Sequence, residues 1–131
     1  MKKFVTLLLC MLPVSLFAQV NDGIRQAMDN YDYETVVTLI EPDCQDSLLL
    51  ITKAQALKAM NRYPEAIGVL NSLILKDSTN TKVLIDLAEC YKLTGNSRRA
   101  ANCYQKAMNL QPENKFFRLQ FIRGKSYTAS S

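Results

Sequence analysis

The chain has 131 residues, of which 48% are apolar and 21% charged, a balance that suits one folded domain and indicates no long disordered tract. Sixteen Lys and Arg stand against twelve Asp and Glu, a formal charge of +4 that gives a nucleic-acid role no support. There is no histidine, which removes the usual general base, the usual metal ligand and the base of a catalytic triad.

The first stretch is a separate object. Lys2 and Lys3 make a basic start, and Phe4 to Leu12 is an apolar run too short to span a bilayer. Ser15-Leu16-Phe17-Ala18-Gln19 then offers a cleavage site after Ala18, although Leu16 is larger than the small residue usually preferred there. The segment resembles the export signals of Gram-negative bacteria, and its Phe-Ala-Gln ending those of the Bacteroidetes group. That resemblance implies a signal peptide over 1–18 and an exported chain, periplasmic or secreted. Cys10 follows Leu7-Leu8-Leu9, not the small residue a lipid anchor wants, so membrane association is not expected after cleavage. Cleavage would leave fourteen bases against twelve acids and three cysteines, Cys44, Cys90 and Cys103.

Helical periodicity runs through the remainder. Val20, Ile24, Ala27 and Met28 predict a first amphipathic helix over about 20–30. Val36, Val37, Leu39 and Ile40 predict a short second one, ended by Pro42. Its two adjacent β-branched residues keep a buried strand open as the alternative. Asp43 or Asp46 can cap a third helix, about 46–60, carrying Leu49, Leu50, Ala54, Leu57 and Met60. Asn61-Arg62-Tyr63-Pro64 is a turn, with Pro64 near the start of a fourth helix where its missing N–H costs nothing. That helix, about 64–76, carries Ala66, Ile67, Leu70, Leu73 and Ile74, and Asp77-Ser78-Thr79-Asn80 punctuates its end.

The next stretch is the most regular. Leu84, Leu87, Ala88 and Tyr91 fall at i, i+3, i+4 and i+7, and Ala100, Tyr104 and Ala107 repeat the pattern before Pro112. Gly95 is a helix stop, and Asn96 or Ser97 the following cap. A last helix over about 114–125 carries Phe116, Phe117, Leu119, Phe121 and Ile122 among Lys115, Arg118, Arg123 and Lys125. A basic-faced capping helix, a membrane-surface helix and a nucleic-acid helix would all look like this, and the first explains it most simply.

Four pairs, Leu50/Leu84, Ala54/Ala88, Ala66/Ala100 and Leu70/Tyr104, are each 34 residues apart. With Leu-Ala-x-x-Tyr, Ala-x-x-x-Tyr and Pro at these spacings, the chain resembles the tetratricopeptide repeat family. The resemblance implies an all-α, right-handed solenoid of about three antiparallel helical hairpins plus a C-terminal helix. Its units are a degenerate first repeat at 20–46, repeats at 47–80 and 81–114, and a capping helix or unfinished repeat at 115–131. Val36 to Ala66 spans only 30 residues, so about four are missing near Pro42. Lys53 stands where the pattern has Leu, and its stem can carry the charge out to water.

No catalytic, cofactor-binding or metal-binding residue is assigned. Asp86 and Glu89 lie one helical turn apart, but a solvated or groove-facing side with Lys82 and Lys92 nearby explains them better than acid–base chemistry. The four glycines are scattered and form no phosphate loop. A Cys90–Cys103 bridge is conceivable across one hairpin, but small buried thiols account for the pair better. Stacked hairpins line a concave surface with the first helix of each pair. Ile51, Gln55 and Lys58 from one repeat and Ile85, Glu89 and Lys92 from the next are the expected partner-binding groove, suited to a peptide or partner helix. Simple coverage of the groove is the competing account of those six. The family's carboxylate-binding pattern for chaperone C-termini is not reproduced, so that ligand does not carry over. A non-catalytic protein-interaction scaffold is therefore the expected function. Two alternatives stay open: the sensory front of a longer signalling protein, and a structural module that self-associates through 116–122.

Overall fold

The computed structural model describes residues 18–129, with side chains to Lys125. The expected signal peptide, apart from Ala18, lies outside the described residues. Among these the fold is all α-helical: α1 covers 18–29, α2 Tyr33–Leu39, α3 Ser47–Ala59, α4 Tyr63–Lys76, α5 Thr81–Leu93, α6 Ser97–Leu110 and α7 Lys115–Ala129. The strand alternative for 33–41 is thereby overturned. Val36 is fully buried in a one-turn-plus helix whose N-cap, Asp32, accepts from the Thr35 amide, and packing outweighs the β-branched residues' weak helix preference.

Three of the turns are the same device. Tyr31, Asn61 and Gly95 each take the left-handed conformation, with φ of 59°, 60° and 81°. The amide after each donates to a carbonyl five residues back: Asp32 to Ala27, Arg62 to Leu57, Asn96 to Tyr91, all at 2.8 Å. The left-handed residue's own amide donates three back, to Met28, Lys58 and Lys92. These are Schellman closures of α1, α3 and α5. They mark three equivalent hairpins: α1/α2, α3/α4 and α5/α6. The caps that start the following elements come from short polar side chains. Asp46 accepts from the Leu48 and Leu49 amides, Asn80 from Val83, Asn96 from Arg99 and Asn114 from Phe116 and Phe117.

Small residues set the hairpin spacing. Ala54, Ala66, Ala88, Ala100 and Ala107 are all buried, and they let helix backbones approach while Leu57, Leu70 and Leu84 fill between them. Burying each leucine contributes about 1.5–3 kcal/mol before the entropy of ordering it. Leu57 takes the place Tyr91 holds one period later. Tyr91 keeps its hydroxyl near the surface, where Asn71 donates to it at 3.3 Å, and the Arg99 guanidinium lies 5.7 Å above its ring.

Each helix packs on its neighbour in the chain, from α2 on α3 through α6 on α7. The first hairpin departs from the others in length: α2 has 7 residues where α4 and α6 have 14. The loop after α2 fills the missing turns incompletely. It leaves a recess of about 260 Å³ among Pro42, Cys44, Leu50, Lys53, Val69 and Lys76. Two lysines tie that loop down, Lys53 donating to the Ile40 carbonyl at 3.4 Å and Lys76 to that of Gln45 at 2.8 Å. The charged tip of Lys53 therefore ends on a backbone oxygen.

Candidate partner-binding surface

The first helices of the hairpins, α3 and α5, together with α7, supply the candidate groove. The six expected residues divide into three kinds. Ile51 and Ile85 are half-buried and pack against the main core. Gln55 is half-buried and Lys92 exposed. Lys58 and Glu89 are engaged with each other.

That pair is the centre of the surface. The Lys58 ammonium donates to Asp86 Oδ1 and to Glu89 Oε2, both at 2.9 Å, and so bridges from α3 to two successive turns of α5. Burial alone would lower the Lys58 pKa. The hydrogen bonds it donates to Glu89 and Asp86, and their charges, override it, and the net shift is upward. The expected neighbours of the carboxylates were Lys82 and Lys92. The partner is instead a lysine 28 and 31 residues earlier, because adjacent repeats stack with α3 alongside α5. This ammonium holds two repeats together and fixes both carboxylates, so it is not a loose charge awaiting a ligand.

The open part of the surface lies further along, between α5 and α7. Glu89, Lys92, Leu93, Tyr104, Phe116 and Gln120 line a recess of about 230 Å³. Leu93 and Phe116 are exposed at its sides, and Tyr104, buried, closes it from beneath. A narrower crevice continues from Lys92, Tyr104 and Gln120 to Arg123 and Gly124. Burial pushes the Tyr104 hydroxyl pKa upward, with Glu89 adding to the effect, so the phenol stays neutral there. The chemistry on offer is an apolar slot with a cation, a carboxylate and an amide at its rim.

Leu93, Tyr104, Phe116 and Gln120 were not among the expected groove residues. The period could have found two of them, since Lys82 and Asp86 displaced by 34 give positions 116 and 120. Tyr104 carries a packing mark of the motif, which hid its second face.

The three described thiols are free: Cys90 and Cys103 are buried and Cys44 is half-buried. Burial pushes the pKa of both Cys90 and Cys103 up, which keeps them as protonated, packing groups.

The tetratricopeptide repeat family model matches residues 57–120, which spans α4, α5 and α6 with the flanking ends of α3 and α7. Over those residues the chain carries tetratricopeptide repeats. Among curated proteins it is similar to a DnaJ homolog subfamily C member 7 homolog from Dictyostelium discoideum, 35% identical over 86 residues. That alignment takes in 64% of this chain and only 16% of the relative's length. Three solved structures share the fold. The Arabidopsis OM64 TPR domain aligns with a TM-score of 0.70 at 16% identity, over 84% of this chain and 94% of that one. The Yersinia enterocolitica type III secretion chaperone SycD, in complex with a peptide of the translocator YopD, gives 0.72 at 19%, over 87% and 95%. The first TPR of Spaghetti (RPAP3), bound to the HSP90 peptide SRMEEVD, gives 0.68 at 16%, over 88% and 92%.

Proposed function

We propose that this repeat protein is a non-catalytic interaction scaffold whose concave surface holds a segment of a partner protein. The observation that carries the reading is the recess between α5 and α7. It joins exposed apolar walls, Leu93 and Phe116, to a rim of Lys92 and Gln120, and the central charges beside it are already mutually satisfied. An extended peptide or a short helix would seat one apolar side chain against Tyr104 and run its backbone past Lys92 toward Gln55. The likeness to SycD and to the Spaghetti TPR supports this, since both were solved with peptides bound. With Lys58 and Glu89 engaged in holding the repeats together, Lys92, Phe116 and Gln120 become the residues expected to choose the partner.

Export completes the proposal. Lys2 and Lys3, the apolar run to Leu12 and the Ala18-Gln19 step support cleavage after Ala18 and a periplasmic or secreted mature chain. N-terminal sequencing of protein recovered from the periplasm should begin at Gln19. A chain recovered from the cytosol and starting at Met1 would refute it.

The groove reading is tested by selecting peptides from a displayed random library against the purified protein and measuring their affinities calorimetrically. Phe116→Ser and Lys92→Glu should each weaken a selected peptide by about tenfold, the ~1.4 kcal/mol scale of a contributing interface residue. Lys106→Glu, on the exposed side of α6, should leave it unchanged. Equal affinities for all three variants would refute the groove.

A further inference from the structure

Charge is sorted along this solenoid. Residues 20–46 hold seven acids and one base, and residues 97–125 hold seven bases and one acid. Every one of those acids (Asp22, Asp29, Asp32, Glu34, Glu41, Asp43, Asp46) is exposed. So is every one of the bases at the other end, from Arg98 to Lys125. The first hairpin and the loop after it thus form a head of net charge −6, with Asp22 paired to Arg25 and Glu34 to Arg62, and the last helices a tail of net charge +6, while the mature chain would sum to only +2.

The tail also presents apolar surface. Phe116, Leu119 and Ile122, at helical spacing on α7, keep 52%, 55% and 57% of their surface exposed. The opposite side of α7 is used: Phe121 packs into the core, and a Cβ placed on Gly124 would lie 3.6 Å from that of Ala101 on α6. Within the chain, each hairpin's first helix lies against the helix before it, α3 on α2, α5 on α4 and α7 on α6. The outer side of α7 is the surface on which the next unit of such a stack would be laid. The outer side of α1 carries Asp22 and Asp29 two turns apart, Asp22 paired with Arg25 at 2.9 Å, and the exposed ring of Tyr31 at its end.

We propose that the tail of one molecule docks on the head of a second copy, so that chains associate head to tail. The occupant of the α7 face is argued from charge. A symmetric contact of α7 with another α7 would set Lys115 and Arg118 against their own copies, and residues 115–125 contain no acid. The head of the same protein supplies the opposite sign at comparable density. A head-to-tail contact uses two different surfaces, so it does not close on itself at two copies and grows with concentration. Surface charges act only over about 8–10 Å at physiological salt, so the contact should loosen as salt is added.

The test is sedimentation velocity on the whole chain, purified as the expressing cell leaves it, at about 0.05 M and about 0.5 M salt. The wild type should show a weight-average mass that rises past two copies with concentration and falls back at high salt. Lys115→Glu/Arg118→Glu should abolish the growth, as should Asp22→Lys/Asp29→Lys at the other end. Mixing the two variants should restore association as a one-to-one pair, since the unchanged tail of one then meets the unchanged head of the other. Leu119→Ser/Ile122→Ser should also lose it, with helical content and melting temperature within a few degrees of wild type for all variants. Three results overturn the proposal: a monomer at every concentration, a mass that stops at two copies and ignores the head substitutions, or association that all the variants share. A monomer that sediments with vesicles of anionic phospholipid also overturns it, and makes α7 a membrane-surface helix instead.

Discussion

Replacing Lys58 with methionine keeps most of the side chain's volume and removes the ammonium between Asp86 and Glu89. At 2.9 Å per contact, an effective dielectric between ~80 and ~20 brackets each attraction at roughly 1–6 kcal/mol before desolvation is subtracted. The Lys58 and Asp86 side chains keep 21% and 17% of their surface, and Glu89 keeps 45%. The site therefore sits between an exposed pair, about 0–1 kcal/mol, and a fully buried one, whose disruption costs about 3–5 kcal/mol. Lys58→Met should cost about 2 kcal/mol, since it also leaves two carboxylates one turn apart without a counter-charge. Asp86→Asn should cost more than Glu89→Gln, because Asp86 is the better buried. The pH dependence follows from the upward shift of Lys58. A raised amine pKa stabilises the folded chain fully below the unfolded value of 10.5, and the contribution is lost as pH climbs through the folded value. The gap between wild type and Lys58→Met should thus be level over about pH 7–9 and narrow in strong alkali. Urea unfolding followed by circular dichroism gives the free energies, and a double-mutant cycle of Lys58→Met with Asp86→Asn isolates the pair. A loss under about 0.5 kcal/mol, the level of an ordinary surface change, together with no coupling, would refute the clamp.

Other consequences are read by simpler means. Ala88→Trp, at a fully buried position in the α5 crossing, should destabilise by about 1–3 kcal/mol in the same urea assay; a neutral result would place Ala88 outside the contact. Tyr31→Gly should stabilise by up to about 1 kcal/mol, because a bulky residue holds φ at 59° there while its ring is largely in solvent. Of the three described cysteines, Cys44 should be alkylated first in the folded protein; Cys90 and Cys103, buried and raised in pKa, should react only on unfolding, which peptide mapping by mass spectrometry reads directly.

Much of the fold is legible in the residues themselves. Alanine and leucine at a 34-residue period, Gly95 after α5 and Pro64 at the start of α4 each answer a local backbone or packing requirement, so spacing alone reports them. The first hairpin is harder to see, because Tyr31 does there what Gly95 does in the third and α2 is half the usual length. The last helix runs four residues beyond the expected end, since 125–129 contains neither proline nor glycine to stop it. The surface is less legible than the core. Lys58 meets Asp86 and Glu89 through the offset between stacked helices, a quantity that no spacing within one helix contains. The recess required both α7's position and the second face of Tyr104, and a residue that marks packing does not announce that its edge is also exposed to a groove.

The satisfied centre and the open end of the concave surface suggest a division of labour. Lys58 ties α3 to α5, and in the proposed function Lys92, Phe116 and Gln120 would meet the partner segment. The most direct test is a chemical-shift map of the isotope-labelled protein titrated with a peptide selected for binding. The account predicts that the largest perturbations fall on Gln55, Lys92, Leu93, Phe116 and Gln120, with α4 and the exposed side of α6 around Lys106 unmoved. Perturbations concentrated on α4 and α6, with the α5–α7 recess silent, would contradict it.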